Sequence, residues 1–492
     1  MMFDAVVIGA GFGGIATALT LAERGAKVAL CETLSYPGGC ASTFTRDGYR
    51  FESGATLISG LDEAQLFGGW IKRHNIGVQL QWMDPLLTLQ AAGVTLDIHR
   101  RREDLLEQFC ALPNAPVSEL RHFFAVQRRV ARVLWQLFDH PARLPPVKLA
   151  QLPGHLRRLP GYAGLLPYIG RSMGAILQRF GLADFAPLRI YLDALCQITV
   201  QCSAEVAEAP LAFAAMDYYY RGSAHVVGGV GQLAQGLLDA AQRCGADIQL
   251  STRVKQLVRR PDNTWQITTR RGTLEAKHVV ANLHPGVLPA LLGPSYREPT
   301  RLTRMQQRLA QGYSAAMLYL VVRAPDDASA DAHHLEFIAD PNKPLIDGNH
   351  IFVSISSAAE TDRAPAGHRT LTISTHLPLA TLQAAGTDIA AYTATVQQTM
   401  RDTLRAGAPQ WANNIVHELT ASARTFGRFV GRPGGAVGGA PRTAGLHNYQ
   451  NMGLVQAEPR LWLVGDSVFP GQSALAAAIS GVRVATAIER LQ

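Results

Sequence analysis

Charge is scarce in this chain: Asp, Glu, Lys and Arg make up 17% of its 492 residues, against 47% hydrophobic residues. Such a composition describes a globular protein rich in apolar surface to bury. No stretch reaches the ~18 consecutive apolar residues of a membrane-spanning helix, so none is expected. The cysteines (Cys31, Cys40, Cys110, Cys196, Cys202 and Cys244) form no CxxC pair and no metal-ligand spacing. They read as free thiols of a reducing compartment, and no metal site is expected. The net charge of +8 suits nucleic acid, anionic lipid or acidic ligands, but no aromatic–basic motif marks nucleic acid. The apolar start has no basic n-region and its glycines belong to a turn, so a secretory signal peptide is not expected and a cytoplasmic location is. A chain this long predicts two or three domains.

What is present is concentrated at the start. Phe3 to Ile8 predicts a short buried strand, and Gly9-Ala10-Gly11-Phe12-Gly13-Gly14 follows at once. Ile15, Ala18, Leu19 and Ala22 then share one helical face, Gly25 closes the helix, and a second strand, Lys27 to Cys31, ends in Glu32. Strand, Gly-rich turn, helix, strand and acid in this order form the dinucleotide fingerprint in its required context. Gly9 allows the tight turn, Gly11 the approach of a pyrophosphate, and Gly14 the packing of helix on strand. The helix N-terminus faces the phosphates, and Glu32 accepts from a ribose hydroxyl.

Similar punctuation returns later. Gly228-Gly229-Val230-Gly231 precedes an amphipathic helix, and alternating strands follow from Ala246 to Asn282. Residues 66–205 are helical in pattern, 313–323 and 368–376 suggest strands of a second sheet, and 388–406 a helix. The Gly-rich run 431–439 has too few apolar residues to pack as an element. Near the end, Leu461 to Asp466 predicts a buried strand closing in an acid, with Gly471 opening a final helix from about Ser473 to Leu491. Two helix N-termini, one at each end of the chain, suit a long extended cofactor. The expected fold is therefore α/β: a discontinuous Rossmann-type dinucleotide-binding domain (1–75, 222–290 and 440–492) with an inserted mixed α+β substrate domain (76–221 and 291–439). Residues 110–205 are expected to form its helical lid or membrane-facing part.

These motifs, with Pro37-Gly38-Gly39 and Gly48-Tyr49-Arg50-Phe51-Glu52-Ser53-Gly54, resemble the FAD-dependent phytoene-desaturase-type oxidoreductases. Gly465-Asp466-Ser467-Val468-Phe469-Pro470-Gly471-Gln472 with Ser480-Gly481-Val482 is most similar to the carotenoid cis–trans isomerases within that group. The resemblance implies FAD and a hydrophobic polyene or isoprenoid substrate. It places the pyrophosphate at Gly9, Gly11, Gly13 and Gly14, the adenosine ribose at Glu32 and the adenine near Val254. It places the flavin side at Gly38, Gly39, Ser42, Thr43 and Thr56, and the ribityl chain and flavin edge at Gly465, Asp466, Gly471 and Ala474. Many relatives carry Arg after the Gly-Gly pair. Cys40 stands there in this chain, so a cation is lost or supplied elsewhere.

On that scaffold the expected chemistry is isomerisation of a carbon–carbon double bond. Desaturation or saturation of a polyene or other lipid is the alternative, and a flavin-free prenyl-lipid carrier or an amine oxidase are more distant ones. Flavin carries the electron chemistry, so no catalytic triad is expected. Tyr219, Arg221 and His225, with Tyr218, Tyr220 and His284, are candidates for steadying charge along a polyene. The same residues also suit aromatic packing at a domain junction. Arg424, Arg428 and Arg432 suit either a cavity wall or a solvated loop. Between Asp139 and Asp184 no acid occurs, while Arg143, Lys148, Arg157, Arg158, Arg171 and Arg179 alternate with apolar residues. That pattern fits peripheral contact with anionic lipid at the inner membrane face, or a core-packed lid whose arginines face water. Oligomeric state is left open.

Overall fold

The computed structural model describes residues 2–91, 93–145 and 152–491. Its first sheet is centred on the strand Met2–Ile8, which is buried on both faces and pairs in parallel with Val28–Cys31 and with Gly272–Ala281. Asp247–Gln249 extends it beyond Val28–Cys31. On the other side, the C-terminal half of Gly272–Ala281 pairs in parallel with Leu461–Leu463, and its N-terminal half carries the antiparallel hairpin Val254–Arg259 and Trp265–Thr269. Five parallel strands therefore end on one edge, at Ile8, Cys31, Ala281, Leu463 and Gln249. Ligands of open α/β sheets bind at this edge.

Two helices press against each other beside it. Phe12–Glu23 follows the first glycine turn, and Ala474–Glu489 closes the chain. Gly481 makes their contact: a Cβ there would stand 2.2 Å from the Gly13 carbonyl oxygen. Gly14 does the same for helix and strand, because a Cβ would stand 2.0 Å from the Gly9 carbonyl oxygen.

The second sheet has seven strands in the order Ile415–Ala421, Tyr313–Arg323, His368–Pro378, His350–Ile355, His333–Ile338, Leu87–Ala91, Val94–Ile98. Side chains alternate across it. Leu318, Leu320, Ile351, Val353, Leu371 and Ile373 form one face and pack with Val396, Met400 and Leu404 of the helix Ile389–Gly407. Ala315, Met317, Phe352, Ser374 and His376 point the other way and line a cavity. The helices Val117–Phe138, Ala186–Thr199 and Ala209–Met216 cover that cavity.

Three expectations change. Residues 66–205 are not all helical, since Leu80–Gln81, Leu87–Ala91 and Val94–Ile98 are strands, and the last two join the second sheet. Their alternation is short and hidden between Leu-rich helical stretches. The run 431–439 does pack: Val437 N–H donates to the Tyr313 carbonyl, and Ser314 Oγ donates to the Gly435 carbonyl. Backbone hydrogen bonds hold it where side chains cannot. In the basic segment, Leu165, Tyr168, Met173, Ile176 and Leu177 are buried core residues, while Leu152, Leu156, Leu159 and Leu166 are exposed. Lys148 lies outside the described residues. No helix among the described residues is long and apolar enough to cross a membrane.

The Gly228-Gly229 turn holds the protein's own carboxylates. Val230 N–H, at the N-terminus of the helix Val230–Arg243, donates to Glu52, and Gly228 N–H donates to Glu360 Oε1 at 2.7 Å. Thr43 Oγ1 donates to Glu52 Oε2 and accepts from Gly231 N–H. Arg363 Nη1 pairs with Glu52 at 3.1 Å and lies 3.7 Å from Glu360, while His225 Nε2 meets Glu360 Oε2 at 3.0 Å. All four side chains are buried, and they join the two sheets' halves of the chain. Burial pushes the Glu360 carboxyl up, but His225, Arg363 and the Ser357 N–H more than reverse this and bring it down to about 2.

A carboxylate lowered in the folded state stabilises above its unfolded pKa, and the contribution fades as pH falls towards the folded value. Thermal stability is therefore expected to drop between about 4.5 and about 2 through Glu360. Glu360→Gln should cost ~3–5 kcal/mol at neutral pH by stranding its buried partners, and should flatten the acid limb of the Tm profile. In urea unfolding, Gly14→Ala should lose ~1–3 kcal/mol or more. Gly69→Ala, whose Cβ has 3.6 Å of room, should be neutral or stabilising.

Candidate FAD and substrate cavity

A cavity of about 640 Å³ opens from the carboxyl edge of the first sheet and runs between the second sheet and the helical layer. Its near end is backbone and glycine. Gly9, Gly11 and Gly13 line it with Gly38 and Gly39, and Gly11 bridges to Gly38. The turn has no room for side chains because Asn282, which follows the strand Gly272–Ala281, fills its centre. A Cβ at Gly11 would stand 2.6 Å from Asn282 Nδ2, one at Gly13 2.8 Å from Oδ1, and one at Gly465 2.7 Å from Oδ1. Asn282 itself is anchored by its N–H on the Ile8 carbonyl, at 2.9 Å. The N-terminus of Phe12–Glu23 thus meets the cavity over a surface on which a diphosphate can lie against bare backbone.

Glu32 sits at the next strand end. Ala10 N–H donates to its Oε2 at 2.7 Å and Leu34 N–H to its Oε1 at 2.8 Å. Burial raises its pKa, and these N–H groups act in the other direction. The carboxylate keeps lone pairs for a ribose, and Thr252, Arg253 and Val254 line the cavity beside it. At the fourth strand end, Asp466 Oδ1 accepts from Arg432 Nη2 at 2.7 Å. Ser473 caps the closing helix by accepting from Ala476 N–H at 3.0 Å, and Ala474 and Ala476 line the cavity.

Of the residues singled out in the sequence, Gly9, Gly11, Gly13, Glu32, Gly38, Gly39, Thr56, Val254, Gly465, Asp466 and Ala474 come together on this wall. Gly14, Ser42, Thr43 and Gly471 stand behind it. Gly14 serves helix packing, and Ser42 Oγ donates to the Gly39 carbonyl at 2.9 Å. Thr43 is engaged with Glu52, and Gly471 makes room for Arg442, whose Nη2 would lie 2.6 Å from a Cβ.

The three catalytic candidates also lie outside the lining. Tyr219 is fully buried in aromatic packing against Tyr218. Arg221 pairs with Asp139 and stacks its guanidinium over Trp135. His225 belongs to the Glu360 network. Their neighbours Tyr218 and His284 do reach the cavity. His284 Nδ1 accepts from Gly286 N–H, and burial, then Arg432, push its pKa down to about 4. It is a neutral imidazole with Nε2–H to donate. Burial and His350 likewise hold His376 down at about 3.

Sequence reasoning left Arg432 open between a cavity wall and a solvated loop, and the structure places it on the cavity wall; Asn282 and the second-sheet side chains that line the cavity were not singled out. Asn282 was legible in principle as the residue ending a buried parallel strand. Arg432 carries no local signal, because its place depends on the packing of the 431–439 run.

Beyond the glycine end, the lining is mainly apolar, with Trp135, Phe138, Ile198, Leu211, Met317, Phe352 and Phe426, and its polar members include Gln201, Ser374, His376 and Gln472. The acids on the wall are Glu32 and Asp466, both at the glycine end. The long cavity, met by two helix N-termini and by a carboxylate at two strand ends, fits a dinucleotide in extended form beside an apolar ligand.

Comparison with known proteins agrees with this geometry. The family described as flavin containing amine oxidoreductase matches residues 12–489. The chain is 26% identical over 507 residues to the chloroplastic prolycopene isomerase of Arabidopsis thaliana, covering 98% of this chain and 82% of that protein. It is 27% identical over 296 residues to the neurosporene-forming phytoene desaturase of Rhodobacter capsulatus, covering 58% of this chain and 53% of that one. Among solved structures, cyclohexylamine oxidase from Brevibacterium oxydans superposes with a TM-score of 0.63 at 16% identity over 100% of both chains. A redesigned putrescine oxidase does so with a TM-score of 0.66 at 16% identity, over 100% of this chain and 99% of its own. The chain belongs to the flavin-containing amine oxidoreductases and is an FAD-dependent enzyme of that family.

Proposed function

We propose that this enzyme acts on carbon–carbon double bonds of a long hydrophobic polyene, as a cis–trans isomerase. The observation that carries the substrate class is the wall beyond the glycine end, which is apolar and free of carboxylates. A cationic amine buried there would lose its hydration with no counter-charge to replace it. A polyene buries its whole length at ~25 cal/mol per Å² of apolar area. Similarity to prolycopene isomerase over nearly the whole chain supports the isomerase reading. The similarity to phytoene desaturase favours desaturation or saturation as the second reading.

When bound, FAD supplies two-electron transfer. The chain's own groups do the rest. Phe352, Met317 and Trp135 exclude water and hold the chain of double bonds in one plane of approach. Tyr218, His284 and His376 offer neutral polar groups, which steady a shifting charge without demanding a charged substrate. Burial raises the Tyr218 phenol and lowers both imidazoles, so all three keep their neutral form across the physiological range.

Access from lipid belongs to the same reading. Leu156, Leu159 and Leu166 are 60%, 52% and 69% exposed beside Arg157, Arg158 and Arg171. Exposed leucines among arginines suit peripheral contact with an anionic bilayer, which dissolves the substrate.

Two outcomes are expected. Anaerobic incubation of holoenzyme with a poly-cis carotene should give a product of altered chromatographic retention and unchanged mass; a mass lower or higher by two hydrogens would assign desaturation or saturation instead. Replacing Leu156, Leu159 and Leu166 together by Asp should reduce pelleting with anionic liposomes at least several-fold while flavin content stays constant, and unchanged pelleting would remove the membrane contact.

A further inference from the structure

The cofactor's diphosphate carries two negative charges, and the helix N-terminus at Gly11 offers about half a positive charge. Three arginines line the cavity: Arg253, Arg432 and Arg442. Arg253 is exposed beside Val254, at the Glu32 end. Arg442 donates to the Pro470 carbonyl at 2.9 Å, on the Gly471 side. Arg432 is different. It follows the helix Ala423–Val430, comes from the half of the chain that builds the second sheet, and reaches across to the first.

Its surroundings locate it. The guanidinium lies close enough to Cys40 to draw that thiol's pKa back down against burial, and close enough to His284 to depress it further. Cys40 directly follows Gly39, whose Cβ would stand 3.6 Å from Gly11 Cα. Arg432 lines the same cavity as Gly11 and Gly39, and its partner Asp466 directly follows Gly465, whose N lies 2.9 Å from where a Cβ on Gly13 would stand. Its side chain is 15% exposed, and its partners are Asp466 Oδ1 at 2.7 Å and the Gly438 carbonyl at 3.3 Å. Burial opposes its charge, and Asp466 more than offsets that. A planar fork with five donors, held by one carboxylate oxygen and one carbonyl, retains donors for a phosphate.

We propose that Arg432 is the counter-charge for the FAD diphosphate, positioned by its pairing with Asp466. The charge that the Gly-Gly-Cys sequence lacks at position 40 is thus delivered from a residue almost 400 positions later. FAD then ties the 431–439 run, and with it the second sheet, to the dinucleotide-binding edge. This assignment rests on FAD alone and is independent of the substrate.

The test separates the two ends of the cofactor. Apoprotein is titrated with ADP, which has the diphosphate and no flavin, and with riboflavin, which has the flavin and no phosphate. Arg432→Gln should weaken ADP and FAD binding ~10–100-fold, the range of a charge-assisted hydrogen bond to an anion. It should also lessen their salt dependence, and riboflavin affinity should stay within ~2-fold, which doubles as the control for folding. Arg432→Lys keeps the charge without the fork, so ADP affinity should fall by less than in Arg432→Gln and its salt dependence should be retained. Equal loss of ADP and riboflavin, or no loss of either, in Arg432→Gln overturns the proposal. If Arg432→Gln does not fold, Arg432→Lys decides alone: unchanged ADP affinity, or a loss of riboflavin affinity equal to that of ADP, overturns it.

Discussion

The structure depends on a close approach at one sheet edge. Three turns, after Ile8, Ala281 and Leu463, converge on one place, and Asn282 occupies their centre. Gly9, Gly11, Gly13 and Gly465 have no Cβ because Asn282 already stands where one would be. The result is a floor of backbone N–H groups that a large anion can touch directly. Everything else in the dinucleotide half follows from keeping that floor intact: the helix-on-strand contact at Gly14, the helix-on-helix contact at Gly481, and the Glu32 carboxylate held by Ala10 and Leu34.

The second constraint is electrostatic. The chain folds a sheet from distant segments onto that floor, and buried charges fix the junction. Glu52, Glu360, Arg363 and His225 satisfy one another and the N-terminus of the helix Val230–Arg243. A glycine turn of the dinucleotide kind therefore receives protein carboxylates at one place and a cofactor at another. The physics is the same in both: unpaired N–H groups at a helix start attract an anion. Because this network lies outside the cavity, the cavity wall is left without acids beyond Glu32 and Asp466, and its chemistry is correspondingly apolar.

Much of the dinucleotide half was legible in the sequence because its constraints are local. Gly9 to Glu32 sets strand, turn, helix and acid within a short span, and Gly14 answers a contact at Gly9 just before it, although Gly9, Gly11 and Gly13 also answer to the distant Asn282. The substrate half was less legible because its constraints are distant. Leu87–Ala91 and Val94–Ile98 become strands only by pairing with His333–Ile338, more than two hundred residues later. His225 and Arg221 resemble site residues until Glu360 and Asp139 are seen beside them. Arg432, in a glycine-rich run with no periodicity, reaches the cavity only because Val437 and Gly435 are held to the strand Tyr313–Arg323. Cys40 pointed to a missing cation, and only the folded chain shows which arginine stands near it.

The neutral, apolar substrate proposed for this enzyme rests on an FAD site proposed at the glycine floor and on the wall beyond it, where no acid stands among the described residues. The most direct measurement is anaerobic titration of the holoenzyme, following the visible flavin spectrum, with a poly-cis carotene and with a primary amine of comparable length. The account predicts that the carotene perturbs the flavin band at saturable, low concentration and that the amine neither perturbs nor bleaches it. Bleaching of the flavin by the amine, with no response to the carotene, would contradict it.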